Sequence, residues 1–259
     1  MIEPRVRGSF ARLGLASCAA VVRHFTGGEA VRPGVRVGPA LLAGSDGKQE
    51  EVFYKQYEYA RPAWGFLGRA SKARREWDSY AAFARLGIAC AEQLAVGEER
   101  DALGRLQRAF ILTRTVPGAR TLTEFVEQEC ADRRSAEARM LRGSLLRQLA
   151  DMTRRLHAGG FFHNDLYWRN ILVTRSGKSE PVLWWIDCPR GHYSRWKRHR
   201  LALKDLAALD RLAAKHCSHG ERLRFVGAYL GRTPLDATTK ELARAALAFR
   251  LHRWREDAD

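Results

Sequence analysis

The chain lacks any pair of cysteines at metal-clamp spacing. Its five (Cys18, Cys90, Cys130, Cys188 and Cys217) are odd in number and scattered, with no Cys-x-x-Cys. That excludes a disulfide framework and a thiolate zinc site, and points to a reducing compartment. No apolar run approaches the roughly 20 residues that a membrane-spanning helix requires. The nearest, Leu13 to Val22, is short, broken by Ser17 and Cys18 and closed by Arg23 and His24; a cleaved leader is the alternative reading there, and it fits the tripartite pattern poorly. A cytoplasmic protein is the expectation. Acidic residues are scarce: 29 against 45 Lys and Arg, a net charge of +16. The surplus favours an anionic partner, whether nucleic acid, an anionic membrane surface or a phosphorylated substrate; a solvated basic surface without a specific ligand would carry the same charge. There is neither an internal repeat nor a low-complexity tail.

What is present is a globular composition. Hydrophobic residues make up 46% of 259, enough for one large domain or two small ones. In order, Val21-Val22 and Val35 to Val37 read as short strands set off by turns at Gly27-Gly28 and Pro33-Gly34. A further turn over Gly44 to Gly47 leads into the strand Val52 to Tyr57, and the pattern suggests an antiparallel meander. The segment Arg61 to Gly68 mixes basic and aromatic residues and reads as a covering loop or a membrane-touching surface. A helix over Ser71 to Leu86 has Ser71 as its cap and Gly87 past its end. Strands follow at Glu92 to Val96 and Ala109 to Thr113, separated by turn residues over Gly97 to Gly104. Val116-Pro117-Gly118 breaks the pattern as an interlobe linker, dividing the chain into residues 1–115 and 116–259.

The second part reads as mostly helical. A capped helix spans Thr121 to Cys130, and a long one spans Ser135 to His157 with an apolar stripe of Leu141, Leu145, Leu149, Met152 and Leu156. Gly159-Gly160 ends it. A hairpin pairs Ile171–Val173 with Val182–Ile186, and helices are expected over Leu201 to His216, Glu221 to Leu230 and Leu235 to Arg255.

Between the long helix and the hairpin lies His163-Asn164-Asp165-Leu166-Tyr167-Trp168-Arg169-Asn170, of the form His-x-Asp-x-x-x-x-Asn. A carboxylate that takes a hydroxyl proton and an amide oxygen that holds a magnesium ion are the two groups phosphoryl transfer requires at this spacing. Other polar residues stand where that chemistry would place them. Lys55 lies inside a strand and suits nucleotide phosphates. Glu76 lies on the inward face of the next helix with Tyr80 and Phe83, where a carboxylate needs a partner, and Lys55 is the obvious one. Asp187 directly follows an apolar strand. Each has a bland alternative: a solvent-facing lysine, a Glu76–Lys72 surface pair, a turn-initiating Asp before Pro189. The five together, in order and in context, resemble the protein-kinase-like fold, which implies an α+β bilobal architecture with a β-rich N-lobe carrying one main helix and a mostly helical C-lobe.

Within that fold the chain resembles the bacterial lipopolysaccharide core kinases, the Kdo and heptose kinase family. The resemblance is carried by Phe53-Tyr54-Lys55, by Ala73-Arg74-Arg75-Glu76-Trp77 leading into Leu86-Gly87-Ile88, by Leu156-His157 through Asn170, and by Trp185-Ile186-Asp187. Lys204 to Leu209 and Leu223 to Leu230 extend it, so that it covers about Val52 to Leu230. It implies transfer of the γ-phosphoryl group of ATP to a sugar hydroxyl of the lipopolysaccharide inner core, at the cytoplasmic face of the inner membrane. It implies further that Lys55 holds the α/β-phosphates and Glu76 fixes Lys55. Asp165 would be the catalytic base, Asn170 and Asp187 would bind Mg2+, and Asp205 would anchor the catalytic loop. Backbone groups of Leu112, Thr113, Arg114 and Thr115 would meet the adenine. The expected partners are ATP, an anionic glycolipid or sugar acceptor and, peripherally, an anionic membrane surface, rather than nucleic acid. The basic runs Arg69–Arg75 and Arg195–Arg200 are candidate acceptor contacts.

The chain departs from the generic kinase pattern at three points. No Gly-x-Gly-x-x-Gly precedes Lys55, since Gly34 and Gly38 have the wrong spacing, so the phosphate cover is unassigned. Asn164 replaces the Arg that pairs with a phosphorylated activation loop in many protein kinases, and no Ala-Pro-Glu follows Asp187. The last two favour a small-molecule, sugar or lipid acceptor. The rivals are a soluble small-molecule phosphotransferase resembling the aminoglycoside or choline kinases, a small atypical protein kinase and, of another class, a catalytically silent basic binding protein.

Overall fold

Alternation along one strand explains the first half of the molecule. In a strand, successive side chains point to opposite faces, so Val52 and Tyr54 share one face and Lys55 and Tyr57 share the other. Val52 and Tyr54 join Val6, Phe10, Leu15, Val21 and Phe25 in one buried apolar cluster, whereas Lys55 and Tyr57 meet Glu76 of the following helix. The computed structural model describes residues 1–25, 29–44, 48–232 and 236–254, with the side chains of 32 and 60–64 set aside. The chain divides into two compact units, Met1–Ala81 with Ala91–Val116, and Ala82–Cys90 with Pro117–Asp259.

The first unit opens with helices α1 (Arg7–Arg12) and α2 (Cys18–His24), followed by strands β1 (Glu29–Arg32), β2 (Val35–Ala43) and β3 (Gln49–Ala63). Helix α3 (Lys72–Arg85) and strands β4 (Gln93–Arg100) and β5 (Leu106–Arg114) complete it, and the antiparallel sheet has the order β1-β2-β3-β5-β4. The strand expected at Val21-Val22 is instead the middle of α2. The Ser17 side chain accepts a hydrogen bond from the Ala20 amide and caps the helix, and burying both valines outweighs their weak β preference. The turns expected at Gly27-Gly28 and over 45–47 lie outside the described residues. Ser71 caps α3 by accepting from the Arg74 amide, and Gly87 follows the helix with φ of +65°.

Gly97 belongs to strand β4 rather than to the turn expected from it; the turn shrinks to Asp101–Arg105, closed by the Asp101 amide donating to the Arg105 carbonyl. The glycine is there for space. A Cβ at Gly97 would stand 2.4 Å from Phe110 Cε1, and Phe110 is buried. Gly97→Ala is therefore expected to destabilise the protein by about 1–3 kcal/mol, the usual cost of overpacking, read as a lowered urea midpoint at unchanged slope.

The second unit contains β6 (Arg120–Thr121), α4 (Leu122–Glu129), α5 (Ala136–Ala158), β7 (Phe161–Phe162), β8 (Ile171–Thr174) and β9 (Val182–Trp185). It ends with β10 (His192–Tyr193), α6 (Arg198–His216), α7 (His219–Leu230) and α8 (Ala237–Arg253). Thr121 and Glu124 form the expected capping box of α4, and Ser135 caps α5. The whole predicted stripe of α5 is buried. Two small sheets, β6-β8-β9 and β10-β7, frame the loop between β7 and β8. The Ala82–Cys90 segment is tied to β9 by the Trp185 amide donating to the Ala89 carbonyl at 2.9 Å. Phe83 lies against Phe161, His163 and Trp185, with ring centroids 5.6–5.9 Å apart. Helix α6 begins at Arg198, inside the basic run, rather than at Leu201. Glu221 is the third residue of α7, held in a capping box with Ser218, so that helix starts earlier than its sequence suggests. Asp236 caps α8, and the positions expected as its ends, Leu235 and Arg255, lie outside the described residues.

Candidate active site

Lys55 and Glu76 meet within the first unit. The Lys55 ammonium donates to Glu76 Oε2 at 2.9 Å, with both side chains almost wholly buried. Tyr57, two residues along the strand, donates its hydroxyl to the same oxygen at 3.0 Å, and Tyr80, one turn along α3, reaches Oε1 at 3.4 Å. A buried carboxylate is tolerable only when paired and hydrogen-bonded, and this one is both. The bland Glu76–Lys72 surface pair is thereby set aside. The i, i+4 spacing marked Tyr80; Tyr57 was legible only as a strand residue.

The second unit carries Asp165, Asn170 and Asp187. The Asn170 amide nitrogen donates to the Asp165 carbonyl at 2.8 Å, and the Ile186 amide donates to the Asn170 carbonyl at 3.0 Å. The loop and the end of β9 are thus fastened together. Asn164 and Asp187 are the two non-glycine residues with positive φ among the described residues, at 66° and 54°. Such backbone costs about 1–3 kcal/mol and persists at functional sites where surrounding contacts over-determine it. Here those contacts are visible. The Asn164 side chain donates to the Phe162 and Arg190 carbonyls, at 3.2 and 3.3 Å, and accepts from Lys204 Nζ at 3.0 Å.

Beneath the loop is Asp205, with no exposed surface. Its two oxygens accept the backbone amides of His163 at 2.8 Å and Asn164 at 2.7 Å. His157 lies between Asp205 and Tyr229, at 3.3 and 2.9 Å. Burial pushes the Tyr229 phenol up to about 12, so it remains a neutral hydroxyl.

His163 is fully buried, and that burial holds its imidazole below its ordinary value despite the nearby Asp205, Asp187 and Asp165 carboxylates. The ring is accordingly neutral at pH 7, and its Nδ1 accepts the Asp165 amide at 3.3 Å. A base whose folded-state value is depressed leaves stability intact above its unfolded value, near 6.5. Below that the unfolded chain takes up the proton and the folded one resists. From this group alone, stability should fall by about 1.4 kcal/mol per pH unit as the pH drops beneath 6.5. Urea unfolding at pH 7.5 and 5.5 would show that loss, and His163→Phe would flatten it.

Around Leu112–Thr115 the backbone is engaged throughout: Leu112 and Thr113 pair with β3 and β4, Arg114 donates to the Glu92 carbonyl at 2.8 Å and Thr115 to the Glu51 carbonyl at 3.1 Å. The sequence overlooked Arg190, whose guanidinium lies 3.4 Å from Asp165 Oδ2; its position three residues after Asp187 was the available signal. Arg198 of the basic run is spent on the His157 and Ala158 carbonyls, at 2.9 and 3.0 Å.

The donor set suits magnesium. Asn170 spends its amide nitrogen, and its amide oxygen takes no hydrogen bond among the described residues; with Asp187 that makes one amide oxygen and one carboxylate. Mg2+ is usually held by one or two carboxylates plus phosphates and water. No cluster of three or more His, Cys, Asp or Glu residues suited to a metal occurs among the described residues, and such a cage is not needed for that ion.

A buried Lys–Glu pair on a sheet and helix, with an Asp/Asn loop and an Asp after a hairpin strand, defines a kinase-type phosphotransferase. Residues 55–229 match the lipopolysaccharide kinase (Kdo/WaaP) family, and the chain belongs to that family. It is a lipopolysaccharide core kinase, an enzyme that uses ATP to phosphorylate a sugar hydroxyl of the core. Its fold is that of the solved structure of WaaP in complex with acyl carrier protein, with a TM-score of 0.73, 22% identity, and coverage of 100% of this chain and 98% of that one. No curated protein matches by sequence. No helix among the described residues is long and apolar enough to cross a membrane.

Proposed function

We propose that Asp165 is the general base that takes the proton from the acceptor sugar hydroxyl, and that Asn170 and Asp187 hold Mg2+ beside it. The observation that carries this reading is the fastening of Asp165, Asn170 and Ile186-Asp187 into one hydrogen-bonded loop. Lys55, fixed by Glu76, Tyr57 and Tyr80, faces the α/β-phosphates. Backbone groups around Leu112–Thr115, at the end of β5, meet the adenine. When bound, magnesium neutralises charge on the nucleotide's phosphates. The protein's own contribution is to orient the hydroxyl and the base, and such positioning is worth several kcal/mol of barrier.

The acceptor is an inner-core sugar reached at the inner-membrane face, with the net charge of +16 drawing the chain to an anionic surface. An acyl carrier protein is a second partner by analogy with WaaP. In support, the second unit contains a cavity of about 380 Å3 lined by Leu145, Leu149, Trp168, Leu206, Val226 and Leu247, whose apolar wall suits an acyl chain.

The test is transfer of labelled phosphate from ATP to purified lipopolysaccharide core, with mass analysis of the sugar. Phosphate on the core with wild type and none with Asp165→Asn is the expected result. Label on protein alone would refute the reading.

A further inference from the structure

Beside the catalytic loop, outside the residues assigned to ATP, basic and aromatic side chains gather. Arg190 reaches both oxygens of Asp165, with Nε 3.4 Å from Oδ2 and Nη1 3.5 Å from Oδ1, and its own side chain is 61% exposed. Lys204, half-buried in α6, donates to Asn164 Oδ1 at 3.0 Å. Among the described residues neither Lys204 nor Arg253 forms an ion pair. Tyr167, two residues past Asp165, meets the edge of Trp254 with ring centroids 6.1 Å apart, and the Arg253 guanidinium lies 5.3 Å from the Trp254 ring. All of these belong to the second unit.

Gathering like charges is costly, and the carboxylate beside them, Asp165, is already paired with Arg190. Burial lowers the Lys204 ammonium below its ordinary value; Arg253 and Arg190 act in the same sense, while the Asp165 and Asp205 carboxylates act against it. Like charges so placed are relieved by an anion, and guanidinium groups recognise carboxylate and phosphate by paired hydrogen bonds. The two partly buried rings offer apolar faces of the kind that pack against the C–H face of a pyranose. Cation, ring and catalytic carboxylate thus lie within one short reach.

We propose that Arg190, Lys204 and Arg253, with Tyr167 and Trp254, form the acceptor subsite, and that it takes a sugar bearing a carboxylate or phosphate next to the hydroxyl that Asp165 deprotonates. This rests on the kinase reading above. The ligand's anion draws Arg190 away from Asp165, so the carboxylate is released to act as base when the acceptor is seated. The Arg195–Arg200 and Arg69–Arg75 runs are not required for this contact.

The experiment is saturation-transfer NMR on the full chain with free Kdo, a sugar phosphate and an uncharged sugar, without nucleotide. Wild type should show binding to the two anionic sugars that weakens with salt, and little binding to the neutral one. Lys204→Met with Arg253→Ser should weaken it about tenfold or more; Lys204→Arg should retain it and Trp254→Ala should lose it. Unchanged ATP affinity in the variants verifies folding. Kdo binding contrasted with sugar-phosphate binding identifies the anion. Equal binding of the neutral sugar, undiminished binding by the double variant, or no binding of either anionic sugar to wild type would overturn the subsite. The two readings separate cleanly. Transfer to the core with an unchanged acceptor KM in the double variant sinks the subsite and leaves the kinase standing. Anion binding that depends on Lys204 and Arg253, with no transfer by wild type, does the opposite.

Discussion

Asp205→Ala should cost this enzyme as much activity as loss of the catalytic base, and stability as well. The carboxylate has no solvent-exposed surface and satisfies two buried backbone amides, those of His163 and Asn164, at 2.8 and 2.7 Å. Removing it leaves both donors without partners, at about 1–3 kcal/mol each. The loop they hold includes Asn164 in left-handed backbone, a conformation with its own cost. Once released, the loop relaxes towards ordinary φ and carries Asp165 with it. A displacement on the order of 1 Å at a reacting group costs about a hundredfold in rate. Asp205→Asn is not a mild substitute, because one of its two positions becomes an N–H facing an N–H. The expected outcome is a loss of roughly 2–5 kcal/mol in urea unfolding and at least about a hundredfold in kcat, with ATP affinity little changed. A variant within 0.5 kcal/mol of wild type would show that the loop is held elsewhere.

The parts of the fold that were legible in the sequence are those where one interaction dominates. The stripe of α5 repeats with helical period, and Thr121 with Glu124 announces the cap of α4, so both stand where they were expected. Lys55 and Glu76 were legible as a pair because a carboxylate on an inward helix face requires a partner. The N-terminal fifty residues were not, since local preference and burial conflict there. Val21 and Val22 favour strand in isolation, yet the Ser17 cap and the burial of both, Val21 within the apolar cluster, make them helical. Gly97 resembles a turn residue, and only the position of the Phe110 ring across the ladder shows why a glycine stands in the strand.

The site divides in the same way. Asp165, Asn170 and Asp187 are close in sequence and carry a known spacing. Arg190, Lys204 and Trp254 are brought to the loop by β10, α6 and the end of α8, and no local pattern links them to Asp165. Charge alone pointed to Arg195–Arg200, the densest basic run, but Arg198 serves the end of α5 through two carbonyls. A run of like charge is conspicuous in sequence; a set of cations that converges only after folding is not.

Glu76→Leu should be the most destabilising single change in the first unit. It removes the Glu76 partner of Lys55, whose side chain is 9% exposed, and the two oxygens to which the Tyr57 and Tyr80 hydroxyls donate. Breaking one side of a buried pair costs about 3–5 kcal/mol, because a charge remains in a medium that cannot solvate it. Lys55→Met should cost less, since the Glu76 carboxylate keeps two hydroxyl donors. Combining the two removes both charges at once, and an apolar pair of similar volume is often neutral in such a place. The double variant should therefore recover most of the stability lost by Glu76→Leu, with a coupling of about 1–3 kcal/mol in the cycle. It should recover no activity. On the proposed reading Lys55 meets the phosphates, and loss of such an electrostatic contact costs about a hundredfold or more in rate. Stability restored without activity separates the pair's service to catalysis from its service to the fold. If Glu76→Leu unfolds at the wild-type urea midpoint, the pair does not bury an uncompensated charge when broken. If the double variant transfers phosphate at the wild-type rate, Lys55 is not the phosphate ligand.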